Sequence, residues 1–425
     1  MEQWLQAHRE ELIADTVRIL QMDTVKAEPA PEAPFGQGVA DCLAAVLARC
    51  GELGFKTHNE HGYYGYAELG EGDPLLGILV HLDVVPPGQD WTDPPFSAVI
   101  RDGKIYARGA VDDKSPAMCA VYAAKAAEQA GFAGRVRIIF GCDEESGWGC
   151  MNAYMAREEI PAMAFSPDAD YPLINTEKTI LHVALSRTYD EPCPVRLKAG
   201  ERANVVPDRA ELTDESGRTR VFAGVGAHAS TPEKGANALW APLAALSDES
   251  TPWGQDCARI FRTLADQSYG QGLDLFISDE VSGHLTVNLG ILELNESGIR
   301  FVLDLRIPVT ADPEEIKKAI AAHYPGFALE VLSLQMGHHV PADSPLVQTL
   351  LQVYRDLTGL PGEAMAIGGG TYARAFPNAV AFGPTLPGTP ELAHQKDENI
   401  PVDELLLNAR IFAHAITKLL TRPQA

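Results

Sequence analysis

The chain reads as an α/β domain, a mixed central sheet flanked by helices, interrupted by a smaller α+β domain. Three observations predict this. Apolar strand-like runs alternate with helical runs through residues 1–180, the pattern of an α/β layer structure. Over 181–335 the strands become polar and alternating, and acidic residues no longer cluster at their ends. From 336 to 425 the first character returns. The expected organisation is therefore a first domain in two parts, 1–180 and 336–425, with 181–335 inserted into it as a lid.

The elements follow in order. Residues 1–25 form a helical pattern with Leu5, Leu12, Ile13, Val17 and Leu20 on one face. A proline-rich loop at 27–36 precedes a second helix at 37–53, with Val39, Leu43, Val46 and Leu47 spaced for burial. The apolar runs 75–80 and 136–140 predict buried strands, and 104–107 predicts one less clearly. The alanine-rich stretch 115–129 is a strong helix former. In the insertion, strands are expected at 181–189, 194–200, 208–213, 219–224, 284–293 and 299–307. Helices are expected there at 235–247, 256–267 and 312–323. The closing part has a helix at 344–357, a short strand at 380–382 and a long helix at 402–420.

Composition narrows the function. The 425 residues carry a formal net charge of −24, which argues against nucleic acid or an anionic membrane as partner. No apolar run approaches a membrane span. The first ten residues lack the basic flank and apolar core of a secretory signal. The seven cysteines are odd in number and show no Cys-x-x-Cys spacing, as expected of free thiols in a reducing cytoplasm. Cys142 and Cys150 flank an acidic cluster, but read as packed small side chains.

The chemistry concentrates at strand ends. His81-Leu-Asp83, Asp112-Asp113-Lys114 and Asp143-Glu144-Glu145 each follow a strand-like run. An imidazole and several carboxylates converging there suit a divalent metal. Carboxylates so crowded would repel one another without cations, which suggests more than one metal. Each cluster also has a plainer reading. His81 could sit in a surface loop, Asp112 or Asp113 could cap the following helix, and Glu144-Glu145 could be a solvated turn. Asp83, two residues from His81 in extended chain, can support the imidazole or its surroundings. Glu144 and Glu145 point different ways, so one can bind metal while the other moves protons. Asp168, His228 and His394 lie in weaker motifs. The adjacent pair His338-His339 is read as structural, like the isolated histidines. No Gly-x-Ser-x-Gly elbow, phosphate-binding loop or His-Glu-x-x-His motif is present, and Gly368-Gly-Gly370 is poor evidence for a dinucleotide.

Taken in order, the motifs resemble the M20 family of di-zinc metallopeptidases, most closely its PepV-like dipeptidase branch. The resemblance rests on His81-Leu-Asp-Val-Val-Pro86, Asp102-Gly-Lys-Ile-Tyr-Ala-Arg-Gly-Ala-Val-Asp112-Asp-Lys, Asp143-Glu-Glu-Ser-Gly-Trp148, Ser166-Pro-Asp168, Asn204-Val-Val-Pro207, Gly226-Ala-His228, Gly368-Gly-Gly-Thr-Tyr-Ala-Arg374 and Glu391-Leu-Ala-His394. It implies a zinc-peptidase catalytic domain with an inserted lid, and two Zn2+ per chain, with Mn2+ or Co2+ as substitutes. His81 and Asp168 would hold one zinc, Glu145 and His394 the other, and Asp112 would bridge them. Asp83 would orient His81, and Glu144 would be the general base acting on a water between the metals. His228 would stabilise the oxyanion. Asn204, Arg374 and, more weakly, Arg306 would position substrate. If His228 must reach the metals, the domains close or a partner subunit supplies it. Ser115 follows the lysine where the family usually has glycine, and the insertion is shorter than in the most similar dipeptidases. The expected function is hydrolysis of dipeptides or short unblocked peptides by a cytoplasmic monomer or homodimer. Two alternatives stay open. One is an N-acyl-amino-acid deacylase or desuccinylase with the same metal centre; the other is a non-catalytic metal-binding module.

Overall fold

The computed structural model describes residues 1–248 and 250–421. The chain forms two compact units. The first holds Met1–Asn175, Val340–Met365 and the chain from Thr371 onward; the second holds Thr176–His339 and Ala366–Gly370.

The first unit is built on a mixed sheet. Its strands run in the order Lys56–Glu60, Tyr64–Glu71, Gly134–Gly141, Leu75–His81, Met163–Ser166, Ala379–Ala381 and the start of Ile174–Glu177, of which Ile174 and Asn175 belong to this unit. The four strands from Gly134–Gly141 to Ala379–Ala381 are mutually parallel, and antiparallel pairs flank them. All seven residues of Leu75–His81 are buried. That is why this strand reads as an unbroken apolar run rather than an alternating one. Helices flank the sheet. Lys114–Ala130 buries thirteen of its residues, many of them alanines, and packs against Val402–Leu419.

The second unit is a seven-stranded antiparallel sheet. Its order is Thr219–Ala223, Arg209–Thr213, Arg196–Ala199, Thr286–Asn295, Gly298–Ile307, Thr179–Thr188 and Ala328–Gln335. Leu181, Val183 and Leu185 share a face with Leu303, Leu305 and Ile307, since alternate residues of a strand point the same way. Leu243, Ile260 and Ile320 from three helices complete this core.

Some expectations need correction. The N-terminal helix is broken into Glu2–Ala7 and Arg9–Leu20 at His8, whose φ of −105° and ψ of 16° leave the helical region. The helix expected from 235 begins only at Trp240. Asn237 delays it, because its side-chain oxygen accepts from Leu239 N at 3.0 Å while its amide donates to Leu289 O at 2.8 Å. The strand near 104–107 is real but lies outside the main sheet, in a small sheet ordered Asn399–Pro401, Lys104–Tyr106, Val99–Arg101. The edge strand Ala328–Gln335 escapes the pattern because most of its residues are exposed on both faces. Ala366–Gly370 joins the second unit for a local reason. Arg306 donates to Gly368 O at 2.7 Å, and a Cβ on Gly368 would lie 2.6 Å from that of Ser230. Gly368 thus serves close packing.

Among the described residues all seven cysteines are free and buried. Gly141 ends its strand against buried Tyr372, and a Cβ there would lie 2.2 Å from the tyrosine hydroxyl. Gly141→Ala is therefore expected to destabilise the protein by about 1–3 kcal/mol through overpacking. Chemical denaturation checks this; an unchanged midpoint would contradict the packing.

Candidate metal centre

Three adjacent parallel strands deliver most of the site. Leu75–His81 ends on His81, Gly134–Gly141 runs into Asp143, Glu144 and Glu145, and Met163–Ser166 runs into Asp168. Their carboxyl ends open on one edge, where α/β sheets bind ligands. Asp112 arrives separately, on the loop before helix Lys114–Ala130. The small sheet brings its loop to the site. Pairing of Ile105 with Ile400 sets the chain leading to Asp112 beside the chain leaving His394.

Asp112 lies at the centre. His81 Nε2 is 2.9 Å from Asp112 Oδ1 and 3.7 Å from Asp168 Oδ2. His394 Nε2 is 3.0 Å from Asp112 Oδ2 and 3.1 Å from Glu145 Oε1. Each oxygen of Asp112 thus faces a different histidine–carboxylate pair. His81, Asp112 and Glu145 form a candidate metal-binding group, each offering one atom within 4.8 Å of the others. Two further facts fit a cation. His81 Nε2 and Asp112 Oδ1 are buried and face each other without the alignment of a hydrogen bond, so both remain unsatisfied. The donor set, imidazole and carboxylate, is that of zinc and similar ions.

Burial and neighbouring charge set the proton affinities of the cluster. Burial lowers the proton affinity of His81, but Asp112 and Asp168 outweigh it and hold the ring well above its ordinary pKa. Contacts with Asp112 and Glu145 push His394 up to about 10. Burial raises Asp112, yet His394 and His81 prevail and hold it below the usual carboxylate range. Burial and then Asp112 raise Asp168 to about 6. Burial chiefly, with Asp168 and Glu145 adding to it, pushes half-buried Glu144 well above the carboxylate range. The surrounding acids thus favour protons on both imidazoles.

Behind this cluster, buried carboxylates hold the backbone of the residues that form it. Asp83 Oδ1 accepts from Glu144 N and Oδ2 from Glu145 N, both at 3.1 Å. Asp113 Oδ2 accepts from His81 N at 3.0 Å. Glu398 Oε1 accepts from Val111 N at 2.7 Å and Asp112 N at 3.2 Å. Asp143 accepts from Gly149 N at 3.0 Å, Ser146 Oγ at 2.7 Å and Lys26 Nζ at 2.6 Å, closing the turn that carries Glu144 and Glu145. Asp83 meets His81 differently from expectation. Its carbonyl, not its carboxylate, lies 2.9 Å from His81 Nδ1, while the nearest carboxylate oxygen is at 3.7 Å. Asp113 occupies the N-cap position of Lys114–Ala130 but makes no side-chain capping bond, being turned to His81 instead.

The remaining candidates divide between the units. Asn204 and His228 come together in the second unit, where Ala229 N donates to Asn204 O at 2.9 Å and Val205 bridges His228. Buried Asn288 holds this corner by donating to Ala203 O and Val205 O at 2.9 and 3.0 Å. His228 Nδ1 faces Ser230, 2.7 Å from its Oγ and 3.2 Å from its N. Arg306 departs from the expectation of a substrate-facing arginine. It is buried, binds Asp304 through Nε and Nη2 at 2.6 and 2.7 Å, and gives Nη1 to Gly368 O. Arg374 is half-buried on the short turn Tyr372–Ala375 of the first unit. Asn288 and Glu398 had no role in the sequence reading, because their partners lie far away in the chain; Asp143 stood in an acidic cluster there without a role of its own.

Known proteins resemble this chain over most of its length. The sequence model of peptidase family M20/M25/M40 matches residues 77–418. YtjP of Bacillus subtilis is 39% identical and covers 97% of each chain. The Beta-Ala-Xaa dipeptidase of Lactobacillus delbrueckii subsp. lactis is 33% identical over 97% of this chain and 97% of its own. Human carnosine dipeptidase 1 shares the fold with a TM-score of 0.65 at 13% identity, covering 98% of both chains. Among the described residues no helix is long and apolar enough to cross a membrane.

A metal held by His81 and His394 would have to displace the protons that their acidic neighbours favour there. Zinc titration of metal-free protein at pH 7, repeated in buffers of different ionisation enthalpy, is expected to release about one to two protons per chain. Affinity should rise with pH toward the value of about 10 for His394, and fall further below about 6 as Asp168 protonates. Uptake without proton release would contradict this charge balance.

Proposed function

The chain belongs to peptidase family M20/M25/M40, and from that premise we propose that it is a zinc-dependent dipeptidase of the PepV-like branch. One observation carries the reading: the two oxygens of Asp112 face His81 with Asp168 on one side and His394 with Glu145 on the other. Each pair would hold one Zn2+, with Asp112 serving both. The kinship with a Beta-Ala-Xaa dipeptidase supports a small peptide as substrate.

Bound divalent ions would acidify water and polarise the scissile carbonyl. The protein's own groups do the rest. Glu144 has its amide anchored on Asp83 next to that of Glu145, leaving its carboxylate as the base. It accepts the proton of the attacking water and passes it to the leaving amine. His228 is assigned as donor to the developing oxyanion through Nε2, its Nδ1 being engaged with Ser230. Asn204 and Arg374 are assigned to substrate positioning, an arginine being suited to a free carboxylate. Arg306 is left out, because its guanidinium serves Asp304 and Gly368.

Glu144→Gln is expected to retain about two zinc ions and lose about 10²–10⁴ in kcat. Elemental analysis and steady-state kinetics check both; normal turnover would remove the base. Zinc-loaded protein should hydrolyse unblocked dipeptides in a panel that also contains tripeptides and N-acyl amino acids. Hydrolysis of the acylated compounds alone would replace the dipeptidase reading with a deacylase.

A further inference from the structure

Glu398 has no part in the hydrolysis described above, yet it is fully buried beside it. Its Oε2 accepts from Arg108 Nη1 at 2.6 Å and Gly109 N at 3.1 Å, while Oε1 takes the amides of Val111 and Asp112. Its backbone carbonyl accepts from Ala107 N at 3.0 Å. Arg108 is 1% exposed and also donates to Gln395 O at 3.2 Å. The guanidinium lies 5.3 Å from the Trp91 ring. One ion pair therefore ties residues 107–112, which end on Asp112, to residues 395–398, which follow His394.

The 107–113 stretch belongs to no helix or strand. Its amides need partners, and Glu398 serves four of them, three through its carboxylate and one through its carbonyl. Stability alone is a weak reason for such a pair, since well-packed apolar residues often serve as well as a buried ion pair. A carboxylate on which four donors converge does something an apolar pair cannot: it fixes the path of a loop. Here the path ends on the carboxylate whose Oδ2 stands 3.0 Å from His394 Nε2.

We infer that Arg108 and Glu398 are positioning residues that hold Asp112 in register with His394 and thereby set the affinity of the site for its cations. The inference rests on the proposal that Asp112 is a shared metal ligand.

Glu398→Gln preserves shape but turns an NH2 group toward one pair of donors. Arg108→Lys keeps the charge and loses the planar fork. Each variant and the wild type would be titrated with Zn2+ against a chromogenic chelator, with thermal unfolding of the metal-free forms alongside. Glu398→Gln is expected to bind Zn2+ about 10- to 100-fold more weakly while still folded. Arg108→Lys should show a smaller loss, and kcat of both should recover at saturating zinc. Folded variants with wild-type zinc affinity would overturn the inference, even if they unfold at lower temperature. Should Glu398→Gln fail to fold, Arg108→Lys decides by the same criterion. Wild-type protein that takes up no zinc would overturn the metal centre itself, and this inference with it. Wild type that takes up two ions, beside variants of equal affinity, would sink only the inference.

Discussion

Crowding of carboxylates around Asp112 is the constraint on which the first unit turns. Asp112, Glu144, Glu145 and Asp168 converge on His81 and His394. Burial makes each negative charge costly, and neighbouring acids make it costlier. Positive charge must enter: protons on the imidazoles, or cations in their place. The sheet meets this demand by bringing three parallel strand ends to one edge, and the small sheet adds Asp112 from another direction. The unsatisfied pair His81 Nε2 and Asp112 Oδ1 marks where the balance is least complete.

Holding such a cluster in place needs a further set of acids. Asp83, Asp113 and Glu398 grip the amides of Glu144, Glu145, His81 and Asp112. These amides lie at strand ends and in loops, where the ladder no longer supplies acceptors. A carboxylate accepts several such bonds at once, and charged acceptors bind amides more strongly than neutral ones. The cost falls on the supporting acids, whose own proton affinities rise chiefly through burial.

Much of this was legible from residue order. The buried strands 75–80 and 136–140 announced themselves by unbroken apolar runs, and the helix at 115–129 by its alanines. The acids at their ends stood out because charge is rare at such places. The supporting contacts were not legible in the same way. Glu398 reaches Asp112 across 286 positions of sequence, and no periodicity marks that partnership. The strand 328–335 lacks a buried face, so no alternation reveals it. Arg306 entered as a substrate candidate through the resemblance alone, not through anything its neighbours in sequence show. Only its burial with Asp304 shows that the arginine is committed.

Residue types and their local spacing decided which elements form and which side chains can carry metal chemistry. Those properties depend on neighbours along the chain: helix propensity, apolar runs, turns and the acids next to them. Which oxygen faces which imidazole was decided by tertiary structure alone. So was the route of Asp83's support, through its carbonyl to His81 and its carboxylate to the following pair of acids. Bonds between segments hundreds of residues apart depend on strand register and loop path, and these exist only once the sheet is assembled.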